Sequence, residues 1–349
     1  MTTQTPPRKF IPADTCVVAL DTNVLRELCY GEPGWVTTFA EMSRNGYAFC
    51  LADAALAEVT NQFEQGSITA EQLEKAMRQA ESFICAELPV LPGKRDLAGM
   101  VGCLPPPGRF AWLRRRALAL WLRASKLLGS GRLMTGVLRV TDWLGVPRTR
   151  EFDWDPVEAQ AYSKATWALL RRSKSASDLQ AGITYTVREH RYKVAAPQTA
   201  AETALASERE DWRTHFDEMA FLPKGIIVAN DKDLIAKMAA EVDRGMQCHP
   251  PLSVRLDLPI KHLYRQHHLH NRAKEPYNPQ SKKKENDGID FDIYYVFILP
   301  AFLVTIEGGF FRALKEIDSY QTSWVWKPEE LAKAWEDGLR PTPTWPSSV

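Results

Sequence analysis

Four carboxylates stand out for the company they keep. Asp21 ends the continuous apolar run Val17-Val18-Ala19-Leu20, and Glu307 ends a second run, Phe302 to Ile306. Glu58 lies between Leu56 and Val59, and Asp290 between Ile289 and Phe291, in stretches whose spacing predicts helices with apolar faces. An ionised carboxylate near a core needs a partner or a metal. Four of them converging on one sheet edge would repel one another, and hard cations relieve that repulsion. Mg2+ prefers oxygen ligands and keeps several of its waters; such a site activates water and stabilises the leaving oxygen of a phosphodiester. Plainer readings stand beside this one. Asp21 and Asp287 suit helix caps, Thr22 and Asn23 suit a turn, and Glu58 suits an exposed helix face.

The elements that must position these acids follow from apolar patterning. Val17 to Leu20 suits a strand buried on both faces of a parallel sheet. Ligands in open α/β sheets lie beyond the carboxyl ends of the strands, so Asp21 is well placed. Helices are predicted at Val24 to Tyr30, Trp35 to Arg44, Ala52 to Val59 and Thr69 to Cys85, with a short strand at Tyr47 to Leu51. Gly225 to Ala229 reads as another strand with Asp231 just after it. Residues 261–285 read as a polar, basic loop. Asn286 to Asp292 opens a helix that Pro300 must end, Phe302 to Ile306 is a strand, and Phe310 to Ile317 a helix. Pro328, followed by Glu329 and Glu330, starts a last helix running to Glu336, and the Pro-rich terminus reads as disordered. The expected fold is a three-layer α/β/α domain with a central, mostly parallel sheet, formed by 15–95 and 221–325. A helical basic insertion spans 96–220, and a C-terminal helix and tail span 326–349.

The net charge of +1 over 349 residues averages unlike segments. Between 109 and 150, Arg114, Arg115, Arg116, Arg123 and other cations face the single acid Asp142, with Trp112, Trp121 and Trp143 among them. With Lys282, Lys283 and Lys284 they are the candidate nucleic-acid contacts. Lys and Arg supply sequence-independent affinity for phosphates, and Trp and His stack on bases of single-stranded RNA. A solvated face accounts for 109–150 equally well, and docking on an anionic membrane surface or a partner protein is a further reading of that segment. His262, His267, His268 and His270 offer imidazoles of the kind zinc or nickel takes, but no Cys or acid stands at finger-like spacing. Six cysteines without a C-x-x-C pair point to free thiols in a reducing compartment. The start of the chain lacks a cleavable signal pattern. Ile293 to Ile306, broken by Pro300, falls short of the roughly 20 residues that span a bilayer. The expectation is a cytoplasmic protein without a transmembrane segment.

Val17-Val18-Ala19-Leu20-Asp21-Thr22-Asn23 resembles the opening strand of PIN-domain nucleases, an apolar pair followed by Asp-Thr/Ser-Asn. Glu58 in Leu56-Ala57-Glu58-Val59 is similar to that family's helical second acid. Asn286-Asp287-x-x-Asp290 resembles its later helix start, and Val304-Thr305-Ile306-Glu307 its Val-Thr-x-Asp strand end. The resemblance covers roughly 15–95 and 285–320. It implies a metal-dependent endoribonuclease, a toxin or RNA-processing effector, that cuts single-stranded or structured RNA with two Mg2+ or Mn2+ ions on Asp21, Glu58, Asp290 and Glu307. Thr22, Asn23 and Thr305 would orient those ligands, and a protein inhibitor or partner is consistent with the family. The chain departs from the pattern at Glu307, where Asp is usual, at Gly308 and Gly309, and in the long gap between Glu58 and Asp290. Asp231 competes with Glu307 for the fourth place, and Asp287 and Asp292 stand in reserve. Two other readings remain open. One is a PIN-like module that binds RNA or protein without cutting. The other is a phosphohydrolase of the haloacid-dehalogenase type with Asp21 as nucleophile, which has Asn23 where its second Asp belongs.

Overall fold

The computed structural model describes residues 15–91, 232–243, 248–272 and 274–347, together with Leu97 and scattered positions between 164 and 216. The basic segment 109–150, the strand expected at 225–229, Asp231, Arg114, Arg115, Arg116 and Arg123 lie outside the described residues.

Four short strands form one sheet. They are β1 (Cys16–Leu20), β2 (Tyr47–Leu51), β3 (Ala301–Val304) and β4 (Val325–Trp326), in the order β2-β1-β3-β4, each pair parallel. Val17 to Leu20 are fully buried, as a continuous apolar run in a two-sided sheet requires. Leu20 pairs with Leu51 on one side and with Val304 on the other, so three carboxyl ends stand level. The ladder runs one residue further: the Asp21 amide donates to the Val304 carbonyl at 3.0 Å, and the Thr305 amide to the Trp326 carbonyl at 3.0 Å. Whatever follows these strands is therefore held at one edge by backbone bonds.

Helices cover both faces, giving three layers. On one face Phe49 stacks on Phe39 of α2 (Trp35–Arg44) at 4.4 Å, and Tyr47 meets Trp335 of the C-terminal helix (Pro328–Glu336) edge-on at 5.5 Å. Phe39, Phe49 and Phe83 are fully buried and mutually in contact; each stabilises the fold by about 1.5–3 kcal/mol relative to exposure. The other helical layer holds α1 (Thr22–Tyr30), α3 (Asp53–Glu64) and α4 (Ala70–Ala80), with α1 packed on both of the others. Ala55, Leu56, Val59 and Phe63 form the buried stripe of α3, and Glu58 stands half-buried at its margin. The start expected at Thr69 is a capping box: the Thr69 hydroxyl accepts from the Gln72 amide while the Gln72 side chain accepts from the Thr69 amide.

Beyond these come α5 (Lys232–Asp243), α6 (Asp257–His270), α7 (Asp287–Ile293), a 3-10 turn at Tyr294–Ile298, α8 (Gly308–Leu314) and, after β4, α9 (Pro328–Glu336). Three expectations are corrected. The first part of the supposed loop 261–285 is helix α6, because its inner face is built from Leu258, Ile260, His262, Tyr264, Gln266 and His267, mostly polar types that hide a buried stripe. The tail is ordered through Ser347: Trp345 packs on Trp324 at 5.2 Å, and the Tyr47 hydroxyl donates to the Pro341 carbonyl at 2.6 Å. Cys16, Cys29, Cys50 and Cys85 are free thiols as expected, whereas Cys248 is disulfide-bonded. Among the described residues no helix is long and apolar enough to cross a membrane.

Candidate carboxylate site

Asp21 emerges from β1 straight into α1 and is only 3% exposed. Its Oδ1 accepts from the Thr22 amide at 2.6 Å, so it does cap α1. Its Oδ2 turns to the next strand end and accepts from the Thr305 hydroxyl at 2.7 Å and, more weakly, from Asn23 Nδ2 at 3.4 Å. The capping and site readings of Asp21 thus describe the two oxygens of one group. Asn23 Nδ2 lies at 3.4 Å from Glu307 Oε2 as well, bridging the two acids. Glu307 is fixed by its own backbone: its amide donates to the Thr305 hydroxyl at 3.0 Å, and its Oε1 accepts from the Gly309 amide at 3.1 Å, capping α8. The Gly308-Gly309 pair puts an amide where a longer acid can reach back to it.

Glu58 approaches from α3. The Thr22 hydroxyl donates to its Oε2 at 2.5 Å, linking the α1 turn to α3. Asp290 comes from α7, which packs against α3. Below α7 a second small apolar cluster, Trp212, Phe216 and Tyr277 with Phe291 against it, holds the helix in place. Trp212 Nε1 donates to the Tyr277 hydroxyl at 2.7 Å.

These acids feel one another. Burial pushes the Asp290 carboxyl up to about 8, and the charges of Glu58, Asp21, Asp287 and Glu307 add to that rise. Burial likewise raises Asp21, against the lowering hydrogen bonds from Thr305, Thr22 and Asn23, with the Glu307 charge adding. Glu58 is raised by burial and by Asp21, opposed by its Thr22 bond and by the charges of Arg209 and Arg26. A group that burial, and then neighbouring acids, keep from ionising is one a cation would relieve.

The backups divide. Asp287 is half-buried, raised by burial and paired with Lys284 at 3.6 Å. It is the first residue of α7 rather than its cap; Asn286 holds the cap position and makes no side-chain cap bond. Asp292 is half-buried two residues beyond Asp290, about 200° round the helix from it. Lys282, Lys283 and Lys284 form one exposed 3-10 turn, with Lys284 committed to Asp287 and to the Tyr277 ring. The four histidines do not converge. His262 contacts Gln266 at 3.2 Å, His270 Nδ1 meets the Tyr277 carbonyl at 2.7 Å, and His267 Nε2 faces His215 Nε2 at 2.8 Å.

Among the described residues, no three His, Cys, Asp or Glu side chains stand close enough to hold one ion between them. The four acids therefore share a field without sharing a coordination sphere. Their donor chemistry, carboxylate oxygens alone, is that of Mg2+ or Mn2+, and a Mg2+ site is commonly made by one or two carboxylates with waters completing it. By that measure the donor set fits a divalent cation; a closed cage for one it is not.

One residue beside the site is not singled out by the sequence. Arg209 donates from Nε at 3.1 Å and from Nη2 at 2.8 Å to the Asn286 side-chain oxygen, at the head of α7, and its charge reaches Glu58. Its spacing was the available signal. Leu205, Trp212 and Phe216 are buried, and Arg209 falls on the same helical stripe.

The fold and site thus define a three-layer α/β/α protein with acids gathered at the carboxyl edge of a small parallel sheet. No family model matches the chain, and no curated protein or solved structure is significantly similar to it.

Proposed function

We propose that this chain is a PIN-like, metal-dependent endoribonuclease whose Asp21, Glu58, Asp290 and Glu307 hold Mg2+ or Mn2+ against the phosphodiester of RNA. The observation that carries the reading is geometric: Asp21 and Glu307 leave neighbouring strand ends bridged by Asn23, Thr22 ties Glu58 to the same turn, and α7 packs Asp290 against α3, where burial and the neighbouring acids push its carboxyl up. Bound divalent cations would supply Lewis-acid polarisation of the phosphoryl oxygens. The chain's own residues do the positioning. Thr305 and Thr22 fix one oxygen each of Asp21 and Glu58, leaving the remaining lone pairs as acceptors. Asn23 keeps Asp21 and Glu307 at a set separation. Lys282 and Lys283, exposed ahead of α7, would supply contacts to the RNA backbone.

A second reading has its own observation. Because, among the described residues, no three acids stand within reach of one ion, the same pocket suits a PIN-like module that binds RNA or a protein partner without cutting. The phosphohydrolase reading gains less, since it needs Asp21 as an attacking group and both Asp21 oxygens accept hydrogen bonds in a nearly closed position. One assay separates the first two: end-labelled single-stranded RNA with Mn2+, wild type against Asp21→Asn. Cleavage by the wild type that Asp21→Asn loses while keeping its fold supports the nuclease. RNA binding without cleavage by either supports the binding module.

A further inference from the structure

We propose that Arg209 is the phosphate clamp of the carboxylate site: a half-buried guanidinium, tethered to Asn286 at the head of α7, that takes a non-bridging phosphate oxygen of the RNA beside Glu58. The inference rests on the nuclease or RNA-binding reading of the same pocket.

Three observations carry it. First, the tether is specific. Arg209 spends Nε and one Nη2 hydrogen on a single acceptor, the Asn286 oxygen. A guanidinium has five N–H donors in a planar fork, and among the described residues no bond occupies the Nη1 end. Second, the Asn286 side chain is given over to the tether, its backbone being helical rather than extended as a cap requires. Asn is among the best helix caps, yet here it sits in the cap position of α7 and makes no cap bond. Third, the setting is wrong for a structural cation. Arg209 lies on the stripe of Leu205, Trp212 and Phe216, where burial of an Arg is costly without a paired carboxylate, and its two short contacts go to a neutral amide. Glu58, whose charge it reaches, is itself tied to Thr22. Arg26, exposed on α1, is the other cation whose charge reaches Glu58. A pocket of acids repels a polyanion; cations at its margin let a phosphate approach, and Arg suits the planar face of a phosphate.

The test uses the full chain and a fluorescein-labelled single-stranded oligoribonucleotide, with binding read by anisotropy in Ca2+ over a salt series and Mn2+ uptake read by calorimetry without RNA. Arg209→Gln is expected to bind the RNA roughly tenfold more weakly, the scale of one charged hydrogen bond. The slope of log affinity against log salt should fall by about one phosphate contact, ~0.7 for a single strand. Arg209→Lys should fall between, keeping the charge without the fork, and Mn2+ uptake by Arg209→Gln should be no weaker than that of wild type, since a cation whose charge reaches Glu58 has been removed. Asn286→Ala, which frees the guanidinium without removing it, should weaken RNA binding with an unchanged salt slope. RNA binding by Arg209→Gln equal to wild type overturns the clamp, as does its loss together with Mn2+ uptake, which would make Arg209 a support for Glu58 only. Wild type that binds no RNA overturns it too. Arg209-dependent binding without any cleavage leaves the clamp standing and removes the nuclease reading.

Discussion

Replacing Asp290 with Asn should make the metal-free protein more stable at pH 8, by a margin that shrinks steadily as pH falls toward 4. The Asp290 carboxyl is pushed up to about 8 in the fold, against about 3.9 in an unfolded chain. Between those values the folded protein holds a proton that the unfolded chain has released, so raising the pH through that window favours unfolding. Each pH unit inside it costs up to ~1.4 kcal/mol, and the whole interval sets a ceiling of about 5 kcal/mol. Glu58 and Asp21 face the same field and take up protons in Asp290's stead, so about 2–3 kcal/mol is the expected share. Asn keeps the shape and removes the ionisable group. At ~2–4 °C per kcal/mol for a domain of this size, the melting temperature of Asp290→Asn should exceed wild type by about 5–10 °C at pH 8 in EDTA. The assay is thermal unfolding followed by circular dichroism at half-unit steps from pH 5 to 9. Curves that run parallel for wild type and variant would refute the reasoning, because no proton would then be held at Asp290.

Other expectations follow from the same geometry. Thr305→Val removes the hydroxyl that donates to Asp21 and accepts from the Glu307 amide; stability should fall by about 1–3 kcal/mol in denaturant titration, and Mn2+ affinity should fall with it. His267, buried against His215, is held down to about 3, and burial holds His262 down to about 3 as well. Their neutral forms are favoured in the fold, so the stability they contribute is complete above about pH 6.5 and is lost as pH falls toward 3. His267→Gln should flatten that acid limb in a pH series of urea midpoints.

Local pattern made much of the sheet legible. Val17 to Leu20, Tyr47 to Leu51 and the run before Glu307 are short, continuously apolar and closed by polar residues, and burial on both faces leaves a strand few other choices. β4 went unread because Val325–Trp326 is only two residues long and is held as a strand by pairing with Leu303 and Val304. Helix α6 went unread for a chemical reason: His262, Tyr264, Gln266 and His267 form its buried face, and a polarity scale counts most of them as solvent-facing. At the site, Asp21, Thr22 and Asn23 were legible as a strand-end turn, and Thr305 as the hydroxyl beside it. That Thr22 would reach Glu58 rests on α1 packing against α3, and that Asp290 would join them rests on α7 packing against α3 across more than two hundred intervening residues, for which local spacing carries no information. Arg209 shows the same limit. It is one of many Arg residues in a stretch with helical pattern, and its tether to Asn286 lies far along the chain.

The shared field of the acids is tested most directly by titrating the metal-free protein with Mn2+ at pH 7.5 in a calorimeter, with proton release measured by repeating the titration in buffers of different ionisation enthalpy. Wild type should bind Mn2+ and release protons as it does so, because Asp290 gives up its own when a cation takes its place; Asp21→Asn and Asp290→Asn should bind more weakly, and Asp290→Asn should release fewer protons. Uptake that is absent, or that is unchanged in both variants, would contradict the account.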